Sequence, residues 1–111
     1  MGRTRKSSDT GDSSAGADTA TIERVRVVVP KQYKVLLLND NYTTMEFVMQ
    51  VLETIFRRTP SEATQIMLKV HKQGRGLAGV YAKQIAEAKI ESVHRRAGDA
   101  GYPLKCSMEV E

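Results

Sequence analysis

The sequence predicts an α+β domain, a two-layer sandwich with three helices on a small three-stranded sheet in the order βααβαβ. Three observations carry this expectation. An almost wholly apolar run, Tyr33-Lys34-Val35-Leu36-Leu37-Leu38, reads as a covered central strand. Two helix-opening patterns follow, Thr43-Thr44-Met45-Glu46 and Thr59-Pro60-Ser61-Glu62. Each sets Glu three places after Thr, as a capping box requires. Beyond them, glycines separate two short apolar stretches and a third helical pattern. Helices that bury one stripe and a sheet that buries one face satisfy each other in two layers.

Residues 1–26 are mostly Ser, Thr, Gly, Ala and Asp with scattered basic groups, and Ile22 is the first bulky aliphatic residue. Such a stretch buries too little surface to offset its ordering entropy. The expectation is a flexible tail over 1–26 and a core domain over 27–111. Val27-Val28-Val29-Pro30 reads as the hinge, and Pro30 bars an early helix. The first strand spans about Tyr33 to Leu38. Helix one is expected from about Thr44 to Arg58, with Thr43 as N-cap, Met45 at N2 and Glu46 at N3. Val48, Val51, Leu52 and Ile55 share its core face, and Glu46, Gln50 and Glu53 its wet face. Helix two starts at the second box with Pro60 at the favoured N1 position. It ends before Gly74 and buries Ala63, Ile66, Met67 and Val70. A strand follows near Leu77 to Tyr81. Helix three, about Lys83 to Ala97, buries Ala86, Ile90, Val93 and Ala97 and stops at Gly98. The last strand is Leu104 to Val110.

The 111 residues suffice for one compact domain. There is no Trp, so aliphatic side chains, Met and two Phe make the core. Cys106, the single cysteine, has no partner for an internal disulfide, which fits a reducing compartment. No apolar run approaches the ~20 residues of a membrane span, and no apolar segment near Met1 suggests a secretory signal. Net charge is +4 and the pI about 9.4. Arg57-Arg58 and Arg95-Arg96 are expected to close helices, where cations meet the C-terminal dipole.

The chemistry concentrates in Asn39-Asp40-Asn41, between the first strand and helix one. Asx residues often do no more than hold a turn by bonding their own backbone. Histidines in a last helical turn, such as His71, are often only dipole partners. The combination suggests more. A protonated α-amino group has three N–H donors, and Asn39 offers an amide oxygen, Asp40 a carboxylate and neutral His71 a ring nitrogen. Capture of an N-terminal amine is a recurring recognition mode. Leu37, Thr43, Met45, Val48, Met67, Val70 and Leu104 supply apolar surface nearby. Plain core accounts for any one of them, but methionines beside polar clusters suit a pocket that adapts to several side chains.

Asn39 through Val48, Ala63 through His71, Gly79-Val80-Tyr81 and Ile85 through Lys89 resemble the ClpS family. These are adaptors that recognise destabilising N-terminal residues and hand substrates to a Clp ATPase. The likeness runs from about Tyr33 to Glu109. It implies that Asn39, Asp40 and His71 hold the α-amino end, that the apolar set forms the pocket wall, and that Met45 limits which side chains enter. It also implies docking to an unfoldase of the ClpA or ClpC type through Gln84, Glu87 and Lys89. The implied ligands are proteins and peptides beginning with Leu, Phe, Tyr or Trp. The implied setting is a monomer in a bacterial cytoplasm, without cofactor, metal, nucleic acid or membrane. Three positions depart from the family pattern: Asn41 stands where an acidic residue is usual, Thr44 where Pro is, and Gln84 where Glu is frequent.

Enzymatic readings fare poorly. The two histidines, 23 positions apart, give no metal-ligand spacing. Asp40 and His71 could form a dyad, but no Ser or Cys nucleophile accompanies them. Gly74-Arg75-Gly76 lacks the length and the Lys of a phosphate loop. The alternative to an adaptor is a small basic RNA- or ribosome-associated domain, whose binding would fall steeply with salt.

Overall fold

The computed structural model describes residues 30–111. The tail expected over 1–26 and the hinge residues Val27-Val28-Val29 lie outside the described residues. The elements are β1 (Gln32–Leu38), α1 (Met45–Thr54), α2 (Pro60–Gln73), β2 (Arg75–Ala82), α3 (Lys83–Ala100) and β3 (Lys105–Val110). This is the expected α+β order, βααβαβ. The sheet runs β2-β1-β3, antiparallel on both sides of β1. The largely apolar run is therefore central, as its composition leads one to expect.

One face of the sheet carries the helices. Val35 and Leu37 of β1 share a core with Phe47, Val48, Val51 and Leu52 of α1, Ala63 and Val70 of α2, and Ala86, Val93 and Ala97 of α3. Each fully buried Leu or Val contributes roughly 1.5–3 kcal/mol. Gly76 sets the closeness of α2 to β2. A Cβ there would lie 2.8 Å from Val70 Cγ2 and 3.0 Å from the Ile66 carbonyl. Among the described residues no polar or charged side chain is fully buried.

Helix ends differ from the sequence expectation at three places. The N-cap of α1 is Thr44, whose hydroxyl accepts the Phe47 N–H at 3.1 Å. The Thr43 hydroxyl is turned instead toward Asp40, to which it donates. Met45 thus sits at N1, and Glu46 has no box to complete. Second, α1 stops at Thr54, well before Arg58. Ile55 is the C-cap, Phe56 turns into the core at 4% exposure, and Arg57 adopts a left-handed φ of 55°. Third, α3 passes through Gly98 to Ala100, and the left-handed residue is Gly101 (φ 81°). The arginine pairs therefore close neither helix. Arg96 donates to Thr54 Oγ1 at 2.7 Å and Arg95 pairs with Glu91. The second box forms as expected, with both Thr59 and Glu62 bonds present and Gly74 (φ 91°) as the C-cap.

Candidate functional site

The turn between β1 and α1 is tied at both ends. The Asn39 N–H donates to the Gly74 carbonyl at 2.9 Å, fastening the exit of β1 to the end of α2. Asp40 Oδ1 accepts the backbone N–H groups of Tyr42 (2.7 Å) and Thr43 (2.6 Å). Its Oδ2 accepts the Thr43 hydroxyl at 2.7 Å. Burial pushes the Asp40 carboxyl up, but the bonds from Thr43 and Tyr42 outweigh it and hold it below its usual range. The carboxylate is charged, and three of its roughly four acceptor sites are occupied.

This turn and the last turn of α2 enclose a cavity of about 240 Å³. Asn39, Asp40, Asn41, Thr43, Met45, Val48, Met67, Val70 and His71 line it. Val48 and Val70 are buried and Met67 half-buried, so they make an apolar floor. Asn39, Asn41, Met45 and His71 are exposed and make the rim. Among the described residues, no hydrogen bond engages the side chains of Asn39, Asn41 or His71. Asp40 and His71 are not bonded to each other, which removes the basis for a dyad. Leu37 and Leu104, expected in the pocket wall, are 0% and 2% exposed and lie in the core without lining the cavity. Asn41, a member of the Asx run but not of the expected amine-binding set, is part of the lining. Its signal was available, since it continues the run of Asx acceptors.

Such a site offers acceptors at the rim and apolar contact below. The C-terminal end of α2, where His71 lies, carries partial negative charge that favours a cation. The N-terminal end of α1 opposes one, so the rim acceptors have to decide the balance.

The residues expected at the docking face share α3 but not a setting. Gln84 and Glu87 are exposed. Lys89 is half-buried, its ammonium donating to the Ile55 carbonyl at 2.8 Å. It lies 5.1 Å from the Tyr81 ring centroid and 5.9 Å from that of Phe56. Burial raises the Tyr81 phenol, with Arg58 acting the other way.

Cys106 has a neighbour that the sequence did not reveal. His94 Nε2 accepts its backbone N–H at 3.1 Å and lies 3.9 Å from Sγ. Burial pushes the thiol up to about 12, so it stays protonated and is no nucleophile. Among the described residues no group of three or more His, Cys, Asp or Glu could hold a metal, and no helix is long and apolar enough to cross a membrane.

Among the described residues, fold and cavity together define a small binding domain, with an apolar floor under unpaired acceptors. Comparison with known proteins agrees. The profile of the family "ATP-dependent Clp protease adaptor protein ClpS" matches residues 29–107. The ClpS adapter of Nitratidesulfovibrio vulgaris strain Miyazaki F is 52% identical over 94 residues, 85% of this chain and 94% of that protein. The ClpS adapter of Maricaulis maris is 49% identical over 107 residues, covering 96% of this chain and 97% of that protein. Agrobacterium tumefaciens ClpS2, solved bound to L-phenylalaninamide, superposes with a TM-score of 0.72 at 38% identity, covering 75% of this chain and 100% of that one. The chain belongs to the ClpS family. It is accordingly an adaptor of the ATP-dependent Clp protease and not an enzyme.

Proposed function

We propose that the cavity captures the first residue of proteins that begin with Leu, Phe, Tyr or Trp, and that the chain delivers them to a Clp AAA+ unfoldase of the ClpA or ClpC type. The observation that carries this reading is the set of unpaired acceptors on the rim directly above the apolar floor. A free N-terminus is the natural group to unite them, because its ammonium and its first side chain leave the same carbon. The solved relative supports the chemistry, since phenylalaninamide has a free amine, a bulky apolar side chain and an amide where a peptide would continue.

Asn39 Oδ1 and a neutral His71 nitrogen accept two ammonium protons. Asp40 supplies negative charge and its last acceptor site, while it holds the turn. The ligand side chain enters between Met45, Val48, Met67 and Val70. Met45, at N1 of α1, stands where a side chain branched at Cβ would collide, so Ile and Val are excluded by clash. Gln84 and Glu87 face the unfoldase from α3, and Lys89 supports that surface from within. Residues 1–26 serve delivery. The setting that suits these roles is a monomer in a bacterial cytoplasm.

The test is a titration with one Phe-initiated peptide, free and N-acetylated. Acetylation removes the charge and the donors, so it should abolish binding. Equal affinity for both forms would overturn the reading. A steep fall of nucleic-acid binding with salt, in place of peptide binding, would instead favour an RNA-associated domain.

A further inference from the structure

The geometry points to Asn41 as the residue that opens the site to an acidic second residue in the captured chain. This inference rests on the N-terminal capture proposed above and deepens it by naming a substrate class. Once an amine and its side chain lie in the cavity, the rest of the peptide has to leave across the exposed rim of Asn39, Asn41, Met45 and His71. None of these four is a carboxylate. The one carboxylate of the lining, Asp40, is committed to the turn: Oδ1 accepts from Tyr42 N and Thr43 N, and Oδ2 from the Thr43 hydroxyl.

Asn41 differs from its neighbour in both respects. It is exposed, and among the described residues nothing in the fold engages its side chain. Its amide presents two N–H donors to whatever crosses the rim. A carboxylate at this position would repel an Asp or Glu passing over it, and such a repulsive element is what makes a site selective. With the amide there, the repulsion is absent and a donor takes its place. The substrate class therefore includes chains with a bulky apolar residue first and an acidic residue second.

The experiment uses three peptides that begin with Phe and differ only at the second residue, Asp, Ala or Lys. Each is titrated by fluorescence anisotropy into the full chain and into Asn41→Asp, with circular dichroism as the control of folding. The expected result for the full chain is affinity for Phe-Asp within about threefold of Phe-Ala, an exposed charge pair being a small effect. Asn41→Asp should weaken Phe-Asp by about fivefold relative to Phe-Ala, leave Phe-Lys at least as tight, and lose that discrimination as salt rises. If both proteins bind all three peptides with the same discrimination, Asn41 does not set the preference and this inference alone falls. Strong rejection of Phe-Asp by the full chain overturns it likewise. If no Phe peptide binds either protein, N-terminal capture itself fails and takes this inference with it.

Discussion

Around the cavity, Asn39, Asn41 and His71 are exposed and engage no partner among the described residues. Where α1 ends against α3 and β2, three long cations are occupied. Lys89 donates to the Ile55 carbonyl, Arg58 Nε to the Ala78 carbonyl at 2.8 Å, and Arg96 to the Thr54 hydroxyl. Both regions are polar groups set on apolar surface, and in sequence they look alike. The difference lies in where the hydrogen bonds go. Arg58 meets a carbonyl that the sheet leaves over: the β1–β2 register slips between Val35 and Leu36, and Ala78 is the extra residue. A scaffold satisfies its own polar groups. Polar groups left open over an apolar floor are the ones a ligand completes.

The sharpest way to break this contrast is to truncate one group from the open region. On the proposed capture, His71→Ala and Asn39→Ala each remove an acceptor for a charged donor, worth about 1.5–3 kcal/mol. Affinity for a free Phe peptide should fall about 10- to 100-fold. Stability should change by no more than about 0.5 kcal/mol, since nothing within the fold loses a bond. Anisotropy and urea denaturation read the two effects separately. Unchanged affinity with a large loss of stability would invert the comparison.

The closed region should respond the other way. Lys89→Ala leaves the Ile55 carbonyl without its donor, at about 1–3 kcal/mol, and removes a cation–π contact of about 0.5–1 kcal/mol. The urea midpoint should drop while peptide affinity stays within about twofold, because Lys89 touches no part of the cavity. Lys89→Arg, which retains the charge, should not restore full stability, since a planar fork does not fit where an ammonium points at one carbonyl. A stable Lys89→Ala that fails only in delivery would show that Lys89 meets the unfoldase directly.

The two regions were also unequally legible. The order of elements followed from the apolar run, the two boxes and the glycines. Element ends followed only where chemistry was unambiguous, as at Thr59–Glu62 and Gly74. Thr43 and Thr44 are both competent caps one residue apart, and Asp40 decides between them by taking the Thr43 hydroxyl. The end of α1 carries no glycine: Arg57 takes the left-handed turn, and what ends the helix is the burial of Phe56. Gly98 misled for the opposite reason, since a glycine marks a helix end only where the left-handed conformation falls, and it falls at Gly101. For the site, residues from Asn39 to His71 were recognisable as types, and the fold gathers most of them around one cavity. Leu37 and Leu104 were not separable from that set, because apolar character does not say which layer a residue occupies. The satisfaction of Lys89 depends on a carbonyl that only the folded chain brings near, whereas Asp40 is satisfied within its own turn.

Asp40 tests the comparison where it is most delicate. By position it belongs to the open region, lining the cavity beside Asn39; by bonding it belongs to the closed one. If bonding governs, Asp40→Asn should cost chiefly stability, about 0.5–1.5 kcal/mol near neutrality, since an amide keeps one acceptor oxygen but cannot take both N–H groups and the Thr43 hydroxyl. The pH dependence supplies the sign. The native carboxyl sits below its usual value of 3.8, so the unfolded chain binds the proton more readily, and this group's contribution grows with pH. It is fully present above that usual value and is lost as pH falls through the lower native one. Urea denaturation of both proteins at about pH 7 and about pH 3 should show a gap that narrows on acidification. Peptide affinity should fall less than in His71→Ala, because one remaining acceptor site is all that Asp40 can offer an amine. A loss of affinity equal to that of His71→Ala, with no change in stability and no pH-dependent gap, would make Asp40 an amine ligand first and a turn residue second.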